Sequence, residues 1–120
     1  MKMKKFTAIL LLSTSILLFT ACSNKVAVAV IGDEGIMRGT ATATMSGGHF
    51  EVSNQTGTCS GYYDSLTTEP TITMIVQCSN NRKGIAIITR DVSMMSGHGR
   101  IRMSDGYEAD LIFGTSAEAL

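Results

Sequence analysis

The chain has no tryptophan, a single proline, two histidines, and aromatic side chains at only 6% of its 120 positions. Each shortage excludes something. Tyr62, Tyr63 and Tyr107 are too few to form a stacking platform for nucleic acid. Lysine plus arginine number 10 against 10 acidic residues, so no basic excess marks a nucleic-acid footprint. The three cysteines never fall in a Cys-x-x-Cys spacing, which argues against thioredoxin-like chemistry and against a structural zinc site. Serines are present, but no Gly-x-Ser-x-Gly elbow places one as a nucleophile. Pro70 closes the segment 64–70, where a missing backbone donor does no damage to a strand.

Beyond residue 22 the chain consists of short runs rich in Thr, Val, Ile and Ala. Gly, Asn, Asp and Ser clusters break them at nearly even spacing. That rhythm predicts an all-β fold, a small antiparallel meander of about eight strands forming a barrel or sandwich. The strands are expected near 26–31, 36–45, 49–53, 58–63, 71–78, 83–90, 98–103 and 107–113. Residues 26–114 make the β domain, and 115–120 a flexible C-terminal tail.

Three turns predict registers. Ser104-Asp105-Gly106 reads as a three-residue loop that pairs Met103 with Tyr107 and Ile101 with Ala109. It also sets Arg102 opposite Glu108 and Arg100 opposite Asp110, a charge match that a two-residue loop would lose. Gly47-Gly48 suits a two-residue turn pairing Met45 with Phe50 and Ala43 with Val52. Asn80-Asn81 suits another, pairing Val76 with Ile85 and Met74 with Ile87. The strands 71–78 and 83–90 are apolar on both faces, so their outward face is either covered by the fold or offered to something else. The expected inner set is lean: Gly39, Ala41 and Ala43 among Met37, Met45, Phe50, Tyr63 and Phe113, as suits a small closed barrel. Outward positions include Arg38, Thr40, Thr42, Arg100 and Arg102, unlike the lipid-facing wall of a transmembrane barrel.

The N-terminus has a different character. Lys2, Lys4 and Lys5 precede an apolar run from Phe6 to Ala21, short of the roughly 20 residues that span a bilayer. Thr20-Ala21-Cys22 then resembles the bacterial lipobox, with Phe19 where that motif usually has Leu, Val or Ile. The resemblance implies a lipoprotein signal peptide over 1–21, acylation of Cys22, and a short tether over 22–25. Ser23, rather than the Asp that marks inner-membrane retention in such proteins, implies the outer membrane, facing periplasm or cell surface. Several acyl chains hold a protein on a membrane where one would let it go. Removing residues 1 to 21 from the 120-residue chain leaves 99, with seven basic residues against ten acidic. Setting Cys22 aside leaves Cys59 and Cys78 as an even pair, expected to form a disulfide in an exported protein.

The remaining part resembles small glycine-rich lipoproteins with one disulfide and no assigned activity, through Cys59-Ser60-Gly61-Tyr62 and Cys78-Ser79-Asn80. The expected role is therefore non-enzymatic: a lipid-anchored envelope protein acting by contact with another envelope protein, without cofactor or resident metal. One alternative is an inhibitor of a lysozyme or protease, presenting the loop 64–70 or 91–97. Another is copper binding through His49 and His98, each beside a Met-Ser-Gly cluster. Glu51, Asp64, Glu69 and Asp91 are candidate carboxylates for glycoside cleavage, and Arg90, Arg100 and Arg102 a candidate basic patch. Both sets read more simply as surface charge.

Overall fold

A computed structural model describes residues 23–120 of the chain. Acylation of Cys22 and the signal peptide over 1–21 lie outside the described residues. Eight antiparallel strands run β1 (Ser23–Gly32), β2 (Gly35–Thr44), β3 (Gly47–Asn54), β4 (Gly57–Tyr63), β5 (Thr71–Cys78), β6 (Lys83–Arg90), β7 (Gly97–Met103) and β8 (Glu108–Phe113). Each strand pairs with the next, and β8 returns to β1, with Val30 opposite Leu111 and Val28 opposite Phe113. The result is a closed up-and-down barrel, which leaves no sheet edge to pair with another chain. Between the two architectures the sequence left open, the barrel is the one formed.

Residues 23–25 of the expected tether belong to the first strand, where they pair with Thr44, Ala43 and Thr42. Residues 115–120, expected to be a tail, include a helical turn α1 (Thr115–Glu118). That turn lies against β1 and β8 and buries Ala117, and Arg38 donates to the Leu120 carbonyl at 2.6 Å.

Alternation places one face of every strand inside. Val28, Phe50, Val52, Met74, Val76, Ile88, Ile101, Leu111 and Phe113 form the core, with Met37 and Tyr63 packed against it. The β7–β8 hairpin has the register its charges predict. Arg100 faces Asp110 and Arg102 faces Glu108, with salt bridges of 2.8 and 3.3 Å and a diagonal Arg100–Glu108 contact of 2.7 Å.

Two predicted registers are corrected. In the β2–β3 hairpin the turn is Met45-Ser46, so Ala41, not Met45, faces Phe50, and Gly48, not Val52, faces Ala43. The Thr44 hydroxyl accepts the Ser46 amide at 3.2 Å and donates to the Gly47 carbonyl at 3.1 Å, closing the turn early. Met45, expected inside, is 74% exposed at the tip. Gly48 serves packing instead: a Cβ there would lie 2.3 Å from the Tyr63 ring.

In the β5–β6 hairpin the loop is three residues, 79–81, so Val76 faces Gly84 and Met74 faces Ala86. Asn81 has φ 67°, and Cys78 N donates to Arg82 O at 2.9 Å. This repeats the 104–106 loop, where Gly106 has φ 94° and Met103 N donates to Tyr107 O at 2.8 Å. The one-residue difference exchanges faces. Ala86 and Ile88 point inward, while Ile85 and Ile87 stand on the outer wall.

Candidate functional site

The two ends of the barrel are built differently. Connections 33–34, 55–56, 79–82 and 104–107 close one end. Arg82 is its clamp: Nη1 and Nη2 donate to the two Glu34 carboxylate oxygens at 2.8 and 2.9 Å, and Nε donates to Asp105 at 2.8 Å. Its guanidinium also lies 4.7 Å from the Tyr107 ring centroid. Gly32 makes room for that ring, since a Cβ would sit 2.0 Å from the Tyr107 hydroxyl. The Arg82 hydrogen bond holds the Glu34 carboxyl below its ordinary range. The Tyr107 amide, followed by Arg82, does the same for Asp105. Beside this clamp Cys59 and Cys78 face each other and are joined, with Cα atoms 4.0 Å apart. The expected disulfide is present. A cavity of about 60 Å³ lies inside the barrel at this end.

The opposite end is open. Here the inward positions of β2 are Ala41 and Ala43, and those of the facing β6 are Ala86, Ile88 and Arg90. Short side chains on β2 cannot reach across, and a cavity of about 170 Å³ remains. Its walls are apolar: Val26, Val28, Ala41, Ala43, Phe50, Ile72, Met74, Ile88, Leu111 and Phe113. Asn24, Tyr63, Ser65, Arg90, Met94 and Met95 surround the mouth. Eight-stranded barrels are just wide enough to be filled by side chains or to hold one small ligand. This one does the first at the clamped end and leaves space for the second at the other.

Of the four polar residues at the mouth, Asn24 is exposed and the Ser65 hydroxyl donates to the Thr44 carbonyl, which leaves Tyr63 and Arg90. Tyr63 packs over Gly48, and burial raises its phenol above the ordinary value, partly offset by the positive charge of Arg90. The phenol is therefore a neutral donor and acceptor at neutral pH. Arg90 ends β6, and its backbone amide donates to Pro70 O at 2.7 Å. Its Nη2 donates to Thr67 O at 3.0 Å and to Glu69 O, which fastens the 64–70 loop over the mouth. Its Nε is buried with no hydrogen-bond partner. Among the described residues no carboxylate forms a salt bridge with Arg90.

The residues singled out from sequence are distributed otherwise. His49 and His98 stand on β3 and β7, four strands apart in a ring of eight, so they occupy opposite outer walls and do not converge. His49 instead lies 4.8 Å from the Tyr62 ring. Among the described residues no three His, Cys, Asp or Glu side chains group as a metal site. Asp64 accepts the Leu66 amide at 2.9 Å. Asp91 accepts the Ser93 amide at 3.0 Å together with the Ser93 and Ser96 hydroxyls, bonds that hold its carboxyl below the ordinary range. Both carboxylates are thus engaged in their own turns. Glu51 points outward from β3, and Glu69 is exposed in the 64–70 loop. The supposed basic patch divides: Arg100 and Arg102 form the outer salt ladder, while Arg90 points inside.

Sequence reasoning grouped Arg90 with Arg100 and Arg102 as surface charge, because strand 83–90 is apolar on both faces and the 80–81 turn did not name the inward one. With the three-residue loop, 84, 86, 88 and 90 are inside. Asn81, a residue type that tolerates left-handed backbone, was the signal available. No protein-family model, curated protein or solved structure matches the chain.

Proposed function

We propose that the protein is a non-enzymatic outer-membrane lipoprotein, held by acyl groups on Cys22 and acting by contact with another envelope protein. The observation that carries this reading is the placement of β1. Ser23, the residue after Cys22, pairs with Thr44 at the open end of the barrel. Three connections at that same end expose Met45, Leu66, Val92 and Met95. Apolar side chains ringing the point of attachment suit contact with a lipid surface, where each one buried adds to the hold of the anchor. The outer wall then faces away from the bilayer. It carries Ile75 at 70%, Ile87 at 54% and Ile85 at 48% exposure, next to exposed Tyr62. Contiguous exposed apolar residues of this kind mark contact surfaces.

The test is Cys22→Ser. The variant is expected to lose acyl labelling and to leave the membrane fraction or accumulate as precursor. Unchanged labelling, migration and fractionation would overturn the anchor.

The inhibitor reading keeps one observation in its favour. The 64–70 and 91–96 loops meet at the open end, joined through Arg90. It requires that end to face away from the membrane, so the two readings compete for one surface. Assays against lysozymes and proteases decide between them: no inhibition at micromolar protein removes the inhibitor reading for the enzymes tried.

A further inference from the structure

We infer that the open-end cavity is a binding site for a small amphiphile, with an apolar body inside the barrel and a carboxylate received by Arg90. The inference does not depend on the anchor, and holds or fails on the barrel alone.

Size limits the body. The cavity measures about 170 Å³, and an apolar protein cavity of roughly 150 Å³ is enough to take benzene. A short alkyl chain or one ring fits; a full-length fatty acyl chain does not. The lining selects for apolar character, because Val28, Phe50, Met74, Ile88 and Leu111 offer no hydrogen bond to a polar body.

Charge selects the head group. Arg90 has a guanidinium against the cavity, and among the described residues its Nη2 has only the neutral carbonyls of Thr67 and Glu69 as partners. Its Nε–H is buried and unpaired. An unsatisfied buried donor costs free energy, and more so when it belongs to a charged group. A carboxylate at the mouth would supply the missing negative charge, and a small turn of the guanidinium would bring the spare Nε–H to it. The Tyr63 hydroxyl lines the same mouth and is available as a second donor. A neutral alcohol of the same length would fill the space without answering the charge.

The probes are hexanoate and hexan-1-ol, titrated into purified full chain with methyl-labelled methionine and followed by NMR. Met74 and Met94 line the open-end cavity, while Met37 and Met103 line the small one at the clamped end and serve as internal controls. Hexanoate is expected to shift Met74 and Met94 saturably, to leave Met37 and Met103 unmoved, and to bind about tenfold more tightly than hexan-1-ol. Arg90→Gln should remove that preference while hexan-1-ol binding persists. Should Arg90→Gln loosen the 64–70 loop, Ala43→Leu provides a second test, since it fills the cavity from β2 and should weaken both probes. The inference is overturned if hexanoate produces no saturable shift at Met74 and Met94. It is equally overturned if the two probes bind wild type alike, or if Ala43→Leu leaves both affinities unchanged.

Discussion

Arg82 and Glu34 meet through two parallel hydrogen bonds, 2.8 and 2.9 Å long, that tie the turn after β1 to the turn after β5 across the closed end of the barrel. With the third bond to Asp105, one side chain joins three of the four connections at that end. Arg90, the corresponding inward arginine near the opposite end, holds one loop and has a donor to spare. The contrast between a spent arginine and an unspent one distinguishes the two ends.

The clamp makes stability depend on pH in one direction. Glu34 and Asp105 titrate below their ordinary values of 4.5 and 3.8 because Arg82 and the Tyr107 amide favour the charged forms. A depressed carboxyl contributes stability that is fully present above its unfolded value and lost as pH falls through the folded one. Thermal midpoints should therefore decline between roughly pH 5 and pH 3. The decline should be shallower in Glu34→Gln, whose midpoint at neutral pH is lower. Equal slopes in the two proteins would show that the pair does not sense pH.

The disulfide closes a loop with a sequence separation of 19 between Cys59 and Cys78. Constraining the unfolded chain over such a loop is worth about 3 kcal/mol. Urea unfolding of the Cys59→Ala, Cys78→Ala double variant should show a loss of that order, and mass spectrometry without reductant should find the wild-type cysteines joined. Two free thiols in exported wild-type protein would refute the bridge.

Asn81 sets the β5–β6 register through its left-handed backbone, φ 67°. Asn81→Gly should leave stability nearly unchanged, whereas Asn81→Val should cost about 1–2 kcal/mol, the penalty for a side chain in that region. Similar unfolding midpoints for the two variants would count against this role.

Wall and core isoleucines should behave oppositely. Ile75 is 70% exposed and Ile101 only 2%. Ile75→Lys should change stability by no more than about 0.5 kcal/mol, while weakening capture of an envelope partner through the outer wall. Ile101→Ala should cost about 2–5 kcal/mol through the lost burial and the cavity left behind. A large destabilisation by Ile75→Lys would mean that this position is structural rather than a contact surface.

Most of the fold was legible locally. Eight strands fall near their expected bounds because turn residues and β-branched runs are short-range signals. The β7–β8 register was legible because charge distinguishes its faces: Arg100 and Arg102 need Asp110 and Glu108, while Ile101 needs Ala109. The site was mostly not legible. Tyr63 and Ala41 were expected inside, but Arg90 was not, and nothing near it in sequence shows that its partners are the Thr67 and Glu69 carbonyls.

By itself, then, the sequence determined the all-β class, the strand count, the cysteine pair and one hairpin's register. Which face of β5 and β6 points inward was decided only by the tertiary structure. Side chains on a strand alternate with period two, so a pattern names the buried face only when the two faces differ. Met74, Val76 and Ile88 are as apolar as Ile75, Ile85 and Ile87, and alternation could not choose between them. Barrel closure, the Cys59–Cys78 bridge and the extra residue in the 79–81 loop made the choice together. The same one-residue difference turned Ile85 and Ile87 to the surface beside Ile75 and brought Arg90 to the mouth of an apolar cavity.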